Sequence, residues 1–160
     1  MAVKQIQQWF VGDFFAVKLA DGSYAIGQVL DVPLPNAASC AFFDRRVDAP
    51  VPQQALELTF DDIIGAATVI PVHLDRGLWR VFSRGPVILP QQQWPNEATR
   101  SKRWIGSIIH TGAILESFLN AFYGLAPWNK YKDPHYLDRI LVSPSKKPMN
   151  LVYESKGWRS

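Results

Sequence analysis

Residues 12–30 constrain this chain more than any other part of it. Two runs rich in β-branched and aromatic residues, 14–19 and 24–30, flank the pair Asp21-Gly22. Asp-Gly is a preferred pair for a two-residue type I′ turn, in which both central residues need positive φ. That turn predicts Leu19 facing Tyr24, Val17 facing Ile26 and Phe15 facing Gln28, with Phe14 facing Val29 on the other side. Both sides of this hairpin are partly apolar, whereas a half-exposed hairpin alternates apolar with polar. The pattern therefore predicts cover on both faces, by closure into a small barrel or by a helix.

The rest of the chain can supply that cover. It has 160 residues, 48% hydrophobic and 19% charged, which is globular composition with length enough for one core. Residues 1–160 are accordingly read as a single domain. Six Trp, nine Phe and five Tyr serve either core packing or a recognition surface. Cys40 is the one cysteine. It excludes an intrachain disulfide and a cysteine metal cluster. Residues 1–8 lack the apolar centre of a signal peptide, and no stretch reaches the length of a membrane span. The expectation is a cytoplasmic protein with no membrane partner. Its oligomeric state is not legible.

Further strands are expected at 39–44, 66–70 and 78–82, the last after a turn at Asp75-Arg76-Gly77. Residues 55–60 are ambiguous, because Leu56, Leu58 and Phe60 alternate as in a strand. Residues 90–103 are polar, basic and interrupted by Pro95, and read as a long exposed loop. A helix is expected at 113–123. Thr111 is its N-cap, Gly124 follows its end, and Ile114, Leu115, Phe118, Leu119 and Phe122 form its apolar stripe. Glu116, Asn120 and Tyr123 share its opposite side. Residues 136–142 read as a short helix or strand, and 143–160 as a loop-rich C-terminal segment. The fold class expected is α+β: a mainly antiparallel, SH3-like or small barrel-like sheet with one packed helix in the C-terminal half.

No catalytic constellation stands out. His73, His110 and His135 are scattered, and none lies at metal-ligand spacing from another His, Cys or carboxylate. Cys40 sits in an apolar strand and reads as a buried, inert thiol. Asp61-Asp62 read as a cap or turn. There is no Gly-rich phosphate loop and no nucleophile elbow. No catalytic residue, metal or cofactor is expected, and the chain is not read as an enzyme.

Charge points to a partner less directly. Net charge is +3, divided as −3 over residues 1–80 and +6 over 81–160. This describes either a basic face for nucleic acid or an acidic partner, or charges that mix on folding. A basic protein is also a poor imitation of phosphate, which disfavours a nuclease partner gripped by bulk charge.

Two resemblances bear on function. Gly12-Asp13, Ala16-Val17 and Asp21-Gly22-x-Tyr24-x-x-Gly27-x-Val29 look like the opening hairpin of SH3-like and Tudor-like barrels. Those modules bind peptides, methylated side chains or nucleic acid, and such a binding module is the alternative reading. The longer resemblance adds Ile64-Gly65-x-x-x-Val69-Ile70-Pro71, Gly77-x-Trp79-x-Val81, Gly85-Pro86 and a late Tyr136-Leu137-Asp138-Arg139-Ile140-Leu141. In that order these blocks resemble the immunity protein 26 family of bacterial polymorphic-toxin systems. The resemblance implies a non-enzymatic protein that binds and neutralises a cognate toxin, with nucleic acid disfavoured as a partner. It assigns no catalytic residues and does not identify the toxin.

Aromatic and basic residues in predicted loops are the candidate partner-binding residues. Trp94, Arg100 and Arg103 come first, in the 90–103 loop, with Trp128 and Tyr131 next. Interface anchors are often of these types. The competing expectation is that Trp94 and Trp128 pack back on the domain.

Overall fold

The computed structural model describes residues 5–155. Within them, six strands form one sheet: β1 (Asp13–Lys18), β2 (Tyr24–Leu34), β3 (Ala37–Val47), β4 (Ile63–Val69), β5 (Arg80–Arg84) and β6 (Ile109–His110). Their order across the sheet is β5-β1-β2-β3-β4-β6. Neighbours are antiparallel except β4 and β6, which run parallel. Three α-helices, α1 (Pro52–Leu56), α2 (Val72–Asp75) and α3 (Gly112–Phe122), join several 3-10 turns. The fold is α+β and mostly antiparallel, as expected, but the barrel is not formed. β5 and β6 lie at opposite edges, so the sheet is open. β6 offers only two residues for closure. At the β5 edge, the Gln7 side chain accepts from the Val81 N–H at 3.0 Å.

The hairpin forms one residue away from the expected register. Lys18 pairs with Tyr24, Val17 with Ala25, Ala16 with Ile26 and Phe15 with Gly27. The Leu19 N–H donates to Ser23 O at 2.7 Å, and the Gly22 N–H donates to Leu19 O at 3.0 Å. The loop is therefore Ala20-Asp21-Gly22, and only Gly22 is left-handed, with φ 87°. Asp21 stays outside that region, and its carboxylate accepts from the Ser23 N–H at 3.0 Å and the Ser23 hydroxyl at 2.5 Å. A turn closed by one left-handed glycine spares Asp21 the strain that a type I′ turn would impose.

This register places Phe15 opposite Gly27. A Cβ on Gly27 would lie 2.5 Å from Phe15 Cζ, so the glycine lets the ring lie across its neighbour. Phe15 then stacks on Trp79 with ring centroids 5.1 Å apart. Around this pair Phe42, Cys40, Val29 and Val69 meet Leu115, Phe118 and Leu119 of α3, with Trp128 and Leu137 beyond. The opposite face carries Phe14, Ile26, Leu30, Ala41, Phe43 and Ile63, covered by Ala55 of α1, Leu58 and Leu89. Both faces are thus covered, as the apolar hairpin required.

Several local expectations change. α3 lies where expected, but Glu116 and Asn120 dock rather than face solvent. Glu116 accepts from the Trp79 indole at 3.2 Å, and Asn120 Oδ1 accepts from the Ala20 N–H at 2.8 Å. Phe122 is half-buried. The ambiguous stretch 55–60 begins within a helix, α1, over residues 52–56. Pro52 opens that helix, and the Gln54 side chain accepts from the Val51 N–H at 2.8 Å. Asp62 caps the 3-10 turn Phe60–Asp62 by accepting from the Thr59 N–H at 2.8 Å. Cys40 is fully buried, and desolvation pushes its thiol far above the usual range. Of the loop-rich C-terminal segment, residues 156–160 lie outside the described residues, as do residues 1–4 at the start.

Candidate functional site

The polar, basic segment expected as a loop is on the surface, and it is built rather than loose. Its approach is set by Gln28, a fully buried residue of β2. The Gln28 amide donates to Pro86 O at 2.8 Å, and its carbonyl accepts from the Ile88 N–H at 3.1 Å. That fixes the strand-to-loop passage ending at buried Leu89. The Trp94 indole donates to Leu89 O at 2.7 Å, and its ring packs on the second core.

From Asn96 the chain makes a compact excursion and returns at Ile108. The Asn96 amide donates to Ile108 O at 2.8 Å, and its carbonyl accepts from the Ile108 N–H at 2.9 Å. The same amide nitrogen donates to Thr68 Oγ1 at 2.9 Å, which ties the neck to β4. Inside, the Thr99 hydroxyl donates to Asn96 O at 2.7 Å and lies 2.6 Å from Ser107 Oγ. Loop 96–108 is an Ω-loop with a hydrogen-bonded neck.

The excursion carries unusual backbone. Asn96, Arg103 and Trp104 have φ of 62°, 55° and 65°. They are the three non-glycine residues with positive φ among those described. Asn tolerates this region; a bulky aromatic does not do so readily. Such residues persist only where the surroundings over-determine them, and they concentrate at functional sites. Here the surroundings are polar. Arg100 donates to Asp31 of β2 at 2.8 Å and to Glu97 at 2.8 and 3.0 Å. Its guanidinium lies 4.6 Å from the Trp104 ring centroid and 6.0 Å from that of Trp94. The Arg100 hydrogen bonds hold the Glu97 carboxyl below its ordinary range.

What the loop presents outward is basic and apolar. Lys102 and Arg103 are exposed and form no ion pair with any described residue. Ile105 is 75% exposed and Ile108 61%. Ile109 and Ile70 continue the apolar surface onto the sheet edge, where the Ile70 N–H donates to His110 O at 2.9 Å.

A cleft of about 520 Å³ opens beside the neck, floored by Ala66 and Thr68 and walled by Asn96, His110, Tyr136 and Arg139. It follows from how the outer side of β4 is paired. Leu141 bridges Gly65 antiparallel, while β6 pairs with Thr68 and Val69 in parallel. Ala66 and Ala67 lie between the two pairings. His110 Nδ1 is 3.0 Å from the Tyr136 hydroxyl, and burial lowers the pKa of this imidazole.

The sequence candidates thus separate. Trp94, Arg100 and Arg103 lie in or beside the loop, and Arg103 is exposed without an ion pair among the described residues, whereas the exposed Arg100 is engaged by Asp31 and Glu97 and half-buried Trp94 by Leu89. Trp128 is 1% exposed, against Phe118 at 5.7 Å, and its indole donates to Asp138 at 2.7 Å. It belongs to the core. Tyr131 is half-buried, 5.2 Å from the Tyr136 ring. Asn96, Thr68, His110, Tyr136 and Arg139 were missed as site residues. Among the described residues, no group of three or more His, Cys, Asp or Glu is placed to hold a metal ion.

The pattern that defines immunity protein 26 matches residues 11–104. That is more than half the chain, from the hairpin through Trp104. The chain belongs to the immunity protein 26 family. No curated protein and no solved structure shows a match. In this member of the immunity protein 26 family, the matched stretch supplies strands β1 to β5, the brace and most of the Ω-loop. The residues that close the neck and wall the cleft, Ile108, His110, Tyr136 and Arg139, lie beyond it. Among the described residues, no helix is long and apolar enough to cross a membrane.

Proposed function

We propose that this protein neutralises a toxin domain of a bacterial polymorphic-toxin system by binding it stoichiometrically in the cytoplasm, without catalysis. Loop 96–108 is the centre of the contact. Membership of the immunity protein 26 family carries this reading. The loop geometry supports the choice of surface. A loop already ordered by its neck and by Arg100 loses little conformational freedom on binding. Its outward Lys102, Arg103 and Ile105 combine steering charge with apolar area. A stable interface buries about 800 Å² per partner, so the contact extends past the loop onto Ile109 and Ile70. Arg103 touches the partner directly, Trp94 and Arg100 position the loop, and Tyr131 acts through Tyr136.

The test is to read the neighbouring gene and, where it encodes a toxin-like domain, to co-express the two. The expected result is survival together with a one-to-one complex on size-exclusion chromatography. The double variant Lys102→Ala/Arg103→Ala keeps its melting temperature and binds at least about tenfold more weakly. Survival without a complex breaks the mechanism. Full-strength binding by the double variant moves the interface elsewhere.

A further inference from the structure

The cleft beside the loop has a composition that the loop surface does not explain. No Asp or Glu lines it. Its polar groups are mostly donors with capacity to spare. Arg139 gives one guanidinium nitrogen to Asp133 at 2.6 Å, and Asp133 is not part of the lining. The remaining guanidinium N–H groups have no partner among the described residues. The Gln93 side chain has none either. The His110 ring turns Nδ1 to the Tyr136 hydroxyl, and in the tautomer whose Nδ1 accepts from that hydroxyl, Nε2–H is a donor without a partner among the described residues. Thr68 and Asn96, by contrast, are consumed by each other and by Ile108. The site therefore has a satisfied floor and unsatisfied donors along its wall.

Its position matters as much as its chemistry. The cleft lies between two pairings on the outer side of β4, at Gly65 and at Thr68. Three residues of strand span about 10 Å, room for one or two inserted side chains. Asn96 and Ile108 are at once the neck of the Ω-loop and part of the cleft lining. A partner seated on the loop tip has the cleft within the same footprint. The unpaired Lys102 and Arg103 at that tip add the same sign of charge as Arg139.

We infer that the cleft receives a short acidic segment of the toxin, its carboxylate held by Arg139 and by the donors of Gln93 and His110. The inference rests on the toxin-binding reading proposed above and adds the chemistry of the partner. A carboxylate suits this wall because charge-assisted hydrogen bonds to a guanidinium are about twice as strong as neutral ones. An acidic group in a recess without carboxylates meets no like charge, whereas a basic segment would meet Arg139.

Two measurements separate this inference from the reading beneath it. The first is an amide-resolved NMR titration with an N-acetylated, C-amidated pentapeptide carrying two glutamates, set against its glutamine counterpart. Saturable shifts are expected at residues 66–68, 108–110 and 139–142, with the glutamine peptide about tenfold weaker and Arg139→Gln abolishing the difference. Equal response to both peptides, or no response at those amides, overturns the inference. The second is affinity for the toxin itself. Arg139→Gln and the cleft-filling Ala66→Leu are each expected to weaken the complex about tenfold while the melting temperature of Arg139→Gln is unchanged. A wild-type complex that both variants match also overturns the inference and leaves the toxin-binding reading standing. Failure of the wild-type protein to bind the toxin removes that reading, and the peptide titration still decides the chemistry of the cleft.

Discussion

The β1–β2 hairpin and loop 96–108 are both chain reversals, yet they are held by opposite means. The hairpin has one left-handed residue, a glycine, and buries the middle of both strands: Phe15, Val17, Ala25 and Val29 are inaccessible to solvent. The loop places three non-glycine residues in the left-handed region and keeps its tip in water. Apolar burial fixes the first. An amide clasp, a two-carboxylate grip on Arg100 and ring-on-guanidinium stacking fix the second. On the function proposed above, the contrast separates stability from recognition. Damage to the hairpin should unfold the protein without selecting among partners, and damage to the loop should do the reverse.

The largest effect belongs to the hairpin. Phe15→Ala removes a fully enclosed ring stacked on Trp79 and should cost about 3–5 kcal/mol in urea unfolding. Toxin affinity, measured where the variant is folded, should stay within twofold of wild type, about the scatter expected of a distant site. Loss of affinity in parallel with stability would erase the proposed division.

Asn96→Ala comes next. It removes the clasp on both polar groups of Ile108, leaves Thr68 with Ser39 as its one side-chain partner, and puts alanine at φ 62°. The cost should be about 1–3 kcal/mol. Limited proteolysis should cut within 97–107, where the wild-type loop resists. A loss as large as that of Phe15→Ala would make the neck part of the core.

Gly22→Val probes the hairpin through its turn alone. No atom lies within 4 Å of an added Cβ there, so the penalty comes from φ 87° and not from crowding. About 1–2 kcal/mol is expected, because a β-branched residue resists the left-handed region. An unchanged melting temperature would show that the turn can flip out of that conformation at no cost.

Acid should reach the loop side first. Burial depresses the His110 pKa, and the facing His73, with the Trp79 indole, depresses that of Glu116 against its own desolvation. Both groups hold fewer protons folded than unfolded, so stability rises with pH through their ordinary ranges. On acidification the His110 share is lost below about pH 6.5 and the Glu116 share below about pH 4. Hydrogen exchange at pH 5.5 against pH 7 should therefore quicken, after correction for intrinsic rates, at residues 108–110 and not at 15–17. His110→Gln should remove the difference. Uniform acceleration across the sheet would assign the acid response to the core.

Legibility in the sequence divides along the same line. The hairpin and α3 were readable because strand and helix patterning are local, and Gly22 and Gly124 mark their ends. The register was not, because it turned on whether both Asp21 and Gly22, or Gly22 alone, take positive φ. Residues 55–60 stayed ambiguous because Leu56, Leu58 and Phe60 alternate, whereas Pro52 and a side-chain cap from Gln54 start, before the alternation begins, a helix that ends at Leu56. The barrel did not close, since strand count does not say which edges meet. Residues 90–103 were legible as a surface loop from Pro95 and the basic run. Its clasp was not, because nothing in Asn96 announces a partner twelve residues on. Trp94 and Trp128 looked alike in sequence. Tertiary contacts alone make one a brace and the other core. The cleft, drawn from Thr68, Asn96, His110, Tyr136 and Arg139, had no motif to betray it.

The Asn96 clasp grips Ile108 by its peptide groups and not by its side chain. Any residue but proline at that position offers the same N–H and C=O. The clasp is therefore indifferent to the side chain at 108, and the outward residues Lys102, Arg103 and Ile105 can be rewritten without touching the contacts that Asn96, Thr99 and Arg100 make. Such a loop behaves as an exchangeable cassette. If the loop is the recognition surface proposed above, a few outward substitutions re-aim it while the sheet beneath keeps its packing.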